Sequence, residues 1–281
     1  MTTPTSASSP FRRPAAMTAR RPEDLIAAAP VVLGFWPERS VVLMTFGARH
    51  PFHARIDIPP DAACDIGVCR DLERTLLEPA VRHGATHVIV LYFTDEPTAA
   101  EAVHRSLRRA CRRSGLVLLT ALLAEATHYR DLEHPDPAAR SHRRPYDVTA
   151  HPFVVDAIVS GRLAHRSRDD LVASLDTDPA AAAAVAEALV AGRFADEGMP
   201  TSGRAIRDAG EWVLALVRRL IAAGDLPGDG DLARLLWVVQ ATRVRDAAWS
   251  HLGRHNAEDH VRLWTDAVRR APEPLVAAPA A

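Results

Sequence analysis

The chain contains no lysine; all 34 of its basic residues are arginine. That absence excludes several chemistries. A P-loop needs lysine on the β- and γ-phosphates, a protein kinase needs its strand lysine, and a pyridoxal-phosphate enzyme needs one for its Schiff base. Arginine leaves bidentate recognition of phosphate or carboxylate open. Cysteine is scarce. Cys64, Cys69 and Cys111 are odd in number and lack C-x-x-C spacing, which argues against a disulfide framework and a structural zinc site; free, half-buried thiols are the expectation, with a Cys64–Cys69 pair the alternative. No apolar run approaches the roughly 20 residues of a spanning helix. Residues 1–20, rich in Thr, Ser, Pro and Arg, have no apolar signal segment, so the expectation is a cytoplasmic protein with no membrane contact. A net charge of −1 supplies no general pull toward nucleic acid.

What is present is an ordinary globular composition over 281 residues, enough for one large domain or two ordinary ones. Residues 1–20 read as a disordered tail, with Met17 an alternative start. A short helix over residues 22–29 opens with Pro22 and two acids near its positive end, and Gly34-Phe35-Trp36-Pro37 ends it. Val41–Met44 is a continuous apolar run, the pattern of a strand covered on both faces. After a turn from Gly47 to Pro51, residues 52–58 alternate as a strand with one polar face. A helix over 66–83 should kink or stop early at Pro79. The run His87–Phe93 is the strongest strand signal. Thr98-x-x-Glu101 reads as the capping box of a helix reaching Arg113, and 116–123 is the next apolar strand. The order ββαβαβ predicts an α/β domain over 21–125, a mixed sheet with helices on its faces.

Residues 126–150 are polar, carry three prolines and read as a long loop. From His151 the pattern is all-helical: Pro152 to Gly161, a helix capped by Ser167-x-x-Asp170, one from Asp178-Pro179 to Gly192, then 204–223 and 231–252. A last helix is capped by Asn256-x-x-Asp259. Four of the five tryptophans fall here, predicting packing organised by aromatics in stacked helical hairpins, the geometry of interaction scaffolds.

Pro22-x-Asp24-Leu25, Pro30, Gly34-Phe35-x-Pro37-x-x-Ser40-Val41 and Ala54-Arg55-x-Asp57-Ile58-Pro59 make a first block of motifs. His151-Pro152, Gly161 and Ser167-Arg168 make a second. Together they resemble the actinobacterial domain of unknown function 4192 family from about Arg20 to the carboxyl end. The resemblance implies a cytoplasmic actinobacterial protein and carries no activity. It also implies a cysteine-bearing loop where residues 131–146 have none, and a further helical pair beyond Pro272–Ala281, so the helical half would lack its cap.

The candidate binding residues are Gly34, Phe35, Pro37 and Ser40, with Arg55, Asp57, His151 and Arg168. The first four form a turn at the mouth of a buried strand, where open α/β sheets place ligand crevices; the alternative is a rigid turn with Phe35 or Trp36 as a core plug. Arg55 and Asp57, two residues apart on one strand face, read as an ion pair or as a grip on a charged group. Ser40, Asp57 and His151 lack the Gly-x-Ser-x-Gly elbow of a hydrolase triad. His128, His134, His142 and His151 with Asp131, Glu133 and Asp136 read as a solvated polar loop, with a metal site the alternative. The arginine stripe Arg105, Arg108, Arg109, Arg112 and Arg113 reads as the solvent face of a helix, since aromatic interleaving for base stacking is absent. Two functional readings remain. One is a non-catalytic module holding a small anionic ligand, with a protein partner on the helical half. The other is an enzyme acting on a small polar metabolite, metal-assisted through Asp57 and the histidine loop.

Overall fold

A computed structural model describes residues 17–49, 52–63, 65–194, 198–253 and 255–273. The expectations for residues 1–16, for Cys64 and for 274–281 lie outside them. The contacts divide the chain into two units between Leu171 and Val172.

The first unit is built on a sheet of β1 (Ser40–Phe46), β2 (His53–Asp57), β3 (His87–Phe93), β4 (Val117–Ala124), β5 (His128–Asp131) and β6 (Arg144–Pro145), ordered β2-β1-β3-β4-β5-β6. Only β3 and β4 run parallel; every other neighbouring pair is antiparallel. α1 (Pro22–Leu33) and α4 (Pro152–Val159) cover one face, and α2 (Ile66–Arg82) and α3 (Pro97–Arg113) the other. Side chains alternate across the sheet. Val41, Leu43, Val88, Val90 and Tyr92 pack toward α2 and α3, whereas Val42, Met44, Ile89, Leu91 and Phe93 pack toward α1 and α4. Burial on both faces is why these strands read as unbroken apolar runs. α5 (Arg168–Ala173) follows, with Ser167 Oγ accepting from the Asp170 amide as expected.

Several local expectations are corrected. α1 runs through Pro30 to Leu33, because proline's φ suits a helix and its ring removes only one bond; Gly34 at φ 80° then makes the stop, its N–H donating to Pro30 C=O. Pro79 likewise sits inside α2 without ending it. α3 starts at Pro97 rather than in a Thr98 capping box, and Glu101 pairs with Arg130 instead. The 126–150 segment is not one long loop, since β5 and β6 extend the sheet through it. His151 and α4, expected in the helical region, pack on α1.

Gly47, at φ 81°, carries the chain out of β1, and a side chain there would run into Thr86. Gly47→Ala is expected to cost about 2 kcal/mol in a urea unfolding titration. A cost below about 0.5 kcal/mol would mean that the turn relaxes freely.

On the α2/α3 face, α3 is tied to the loop after β5 by a buried polar cluster. His104 lies 3.1 Å (Nε2) from Glu133 Oε1 and 3.3 Å (Nδ1) from the Tyr92 hydroxyl, and Arg108 Nε lies 2.8 Å from Glu133. The arginine stripe is therefore partly engaged, with Arg113 on Glu73 as well. Cys69 and Cys111 are free and buried, and burial pushes the Cys111 thiol up to about 11.

The second unit holds α6 (Pro179–Ala191), α7 (Gly203–Ala223), α8 (Asp229–Val238), α9 (Thr242–Trp249) and α10 (Ala257–Arg270). The expected single helix over 231–252 is two. The Gln240 side-chain amide donates to Leu236 C=O and closes α8 without glycine or proline. The closest packing joins α6 to α8 and α7 to α9, helices one apart in the chain, rather than neighbours as stacked hairpins require. The core is aliphatic, from Val213, Leu216, Val217, Leu232, Leu235 and Leu236; Trp212, Trp237, Trp249 and Trp264 line its margin instead of organising it. Asn256 leaves α10 uncapped, because its side chain accepts from the Gly253 amide and donates to His251 C=O.

Candidate functional site

A crevice of about 660 Å³ opens outside the carboxyl ends of β3 and β4. Open α/β sheets place ligands at this end of a parallel pair. Trp36, Pro37 and Arg39 line one side and Thr94, Glu125 and Tyr146 the other. A cleft of about 230 Å³ adjoins it around Asp57, Pro60 and Glu96, and a third of about 70 Å³ lies among Trp36, Arg55, Asp57, Ser167 and Arg168. Arg39 lines all three.

The expected site is therefore assembled in part. Pro37, Arg55, Asp57 and Arg168, up to 131 residues apart in sequence (168 − 37), share this end of the sheet. One terminal nitrogen of Arg55 bonds Asp57 Oδ1 at 2.6 Å and donates to Glu38 C=O at 3.1 Å, so the same-face ion pair is present, while the buried Nε has no hydrogen-bond partner among the described residues. Phe35 is a buried plug bridged to His165, and Gly34 is the helix stop. Ser40 is fully buried on β1, an interior strand, its hydroxyl without a hydrogen-bond partner among the described residues, so it meets no ligand at the surface. His151 does not line the crevice. Its Nδ1 accepts from the Phe153 amide at the start of α4, and Nε2 lies 3.1 Å from Asp24 Oδ1. Ser40, Asp57 and His151 thus form no triad.

Arg39 is the residue that sequence reasoning misses. It occupies one of the unspecified positions between Pro37 and Ser40 in the first motif block, and nothing about a surface arginine marks it. Its φ is 40°, in the left-handed region that a non-glycine side chain enters at a cost, and Ile58 N–H fixes its carbonyl at 2.8 Å. Among the described residues no carboxylate pairs with Arg39 or Arg168. Of the acids around them, Glu125 pairs with Arg143, Asp95 accepts from the Ala126 amide, and Asp147 is bonded by Thr149, whose hydrogen bonds lower its carboxyl, whereas Glu38, Glu96 and Asp169 line the clefts with no side-chain partner among the described residues. Burial pushes the Tyr146 phenol up to about 12, and it donates to Glu125 C=O at 2.8 Å. What the arrangement offers is two guanidiniums without a carboxylate partner and an indole, beside the hydroxyls of Thr94, Thr127 and Thr149, each of which already holds one hydrogen bond, to the Glu96 amide, His128 and Asp147.

The histidine loop does not converge. His134 bonds within its own turn to Asp136, His128 to Thr127, and Glu133 faces His104. Among the described residues no group of three histidines, cysteines or acids is placed to hold a metal ion. No helix among them is long and apolar enough to cross a membrane.

Comparison with curated proteins and with solved structures returns no match. The family comparison accounts for nearly the whole chain: residues 22–281 match the model described as Domain of unknown function (DUF4192), and the chain belongs to that family.

Proposed function

We propose that the protein is a cytoplasmic, non-catalytic module that binds a small anionic ligand in the crevice at the carboxyl ends of β3 and β4. The strained, unpaired Arg39 at the meeting point of three clefts carries this reading. Backbone strain persists where surrounding structure enforces it, and it gathers at ligand sites. Arg39 and Arg168 supply bidentate donors, Trp36 a flat apolar wall, and the threonines hydroxyls. The titratable groups with a shifted pKa in the crevice, Asp147 and Tyr146, move away from neutrality, which supports binding over acid–base catalysis. A protein partner for the helical unit rests on less: Val190 on α6 and Val261 on α10 are exposed on elements that pack together.

Arg39→Gly separates the site's function from its structure. Relief of the positive φ is expected to raise stability by about 1 kcal/mol. The same change removes the guanidinium. Citrate and orthophosphate should then raise the melting temperature of the wild type and leave the variant unmoved. Equal shifts in both proteins would remove Arg39 from the site.

A further inference from the structure

Toward the other end of the same sheet, a second groove of about 680 Å³ lies between α1 and the sheet. It shares no residue with the crevice described above, so its fate in an experiment is independent of that reading. Met44, Ile89 and Leu122 form the floor, and Leu25, Ala28 and Val32, spaced to share one helix face, form the roof. The volume falls within the range of small-molecule pockets, about 300–1,000 Å³.

Two independent features mark it. The first is a bulge. Val88 pairs with Leu118 but Ile89 pairs with Thr120, so Leu119 is an extra residue in the parallel ladder, where bulges are rare. It brings consecutive residues, Leu119 and Thr120, to the groove, and leaves Leu119 52% exposed; Phe46, also in the lining, is 39% exposed. The second is charge. No Asp or Glu lines the groove, while Arg20 and Arg21 do. The nearby Asp24 carboxylate accepts from the backbone amides of Arg20 and Arg21 and faces His151, and it meets the Arg21 guanidinium only at 3.5 Å. Among the described residues no carboxylate pairs with the Arg20 guanidinium. His53, the remaining ionisable group of the lining, is held toward its neutral form by burial.

We propose that this groove binds a single-chain carboxylate amphiphile, its hydrocarbon between α1 and the sheet and its carboxylate on Arg20 and Arg21. The apolar walls supply affinity through buried area, and the paired guanidiniums choose the head group. The test is isothermal titration of the full chain with decanoate and with decylamine, both below their micelle-forming concentrations. Decanoate is expected to bind at least about tenfold more tightly, and the double variant Arg20→Ala, Arg21→Ala to lose about that factor. Leu119→Glu, at a half-exposed position, is expected to fold as the wild type and lose decanoate binding, because it places a negative charge at the mouth. Decylamine binding as tightly as decanoate, or both variants binding decanoate like the wild type, would overturn the proposal.

Discussion

His104→Ala is expected to destabilise the protein by about 3 kcal/mol at pH 7, toward the upper end for loss of one polar side chain. His104 is 7% exposed and joins three elements. Its Nε2 lies 3.1 Å from Glu133 Oε1, and its Nδ1 is 3.3 Å from the Tyr92 hydroxyl. Alanine orphans that phenol, which is fully buried, and removes a partner from Glu133. The histidine also has an acid signature. Burial opposes a charged ring, as do the guanidiniums of Arg108, Arg140 and Arg105, and the pKa falls to about 4 from 6.5. A neutral ring is therefore what the fold holds. Its contribution is complete above the unfolded pKa of 6.5, shrinks as pH drops, and is gone below about 4. The stake is on the order of 3 kcal/mol. Urea titrations from pH 7 to 4 should show the wild-type advantage over the variant disappearing across that window. A constant difference would locate the acid sensitivity in other groups, such as His53 or His260, whose pKa values burial also lowers.

Asp24→Ala is expected to cost about 2–3 kcal/mol at neutral pH. The carboxylate accepts from the amides of Arg20 and Arg21 at 2.7 and 3.0 Å and from His151 Nε2 at 3.1 Å. Burial acts to raise its pKa. The Arg20 amide, His151, and the amide and charge of Arg21 outweigh that and hold it at about 2, against 3.8 when unfolded. Its stabilisation is full above 3.8 and lost as pH falls through about 2, a lower window than that of His104. A double-mutant cycle with His151→Ala should give a coupling of about 1–2 kcal/mol. Additive losses would mean that the two side chains act separately.

That pair also gives a physical content to the family motifs. Asp24 belongs to the first block and His151 to the second, and they meet 127 residues apart in sequence. Such a contact has no local signature, so His151 reads as a ligand group in the sequence when it is a helix cap with a carboxylate partner. What periodicity reveals is legible: β1, β3 and β4 are apolar runs because both faces are covered, and α2, α3 and α7 carry clear stripes. β5 and β6 are hidden because four and two residues, with Tyr129 the one large apolar side chain, make no pattern. The break between α8 and α9 is hidden because a glutamine side chain makes it. At the site, the Arg55–Asp57 pair follows from strand alternation. Arg39 does not, since its importance lies in a backbone angle and in which clefts converge on it.

The pairing of α1 with α4 has a consequence for synthesis. A nascent chain that has just released α1 exposes Ile26, Ala29 and Val31 with nothing from α4 to cover them, and Asp24 has no histidine to meet. β1 can join β2 early, but its other neighbour, β3, emerges some forty residues later, and the β3–β4 crossover must close before α4 arrives. α1 is thus made early and is among the last elements of its unit to be locked. Ribosome-bound chains truncated before His151 should leave α1 open to protease, and chains extended past Leu163 should protect it.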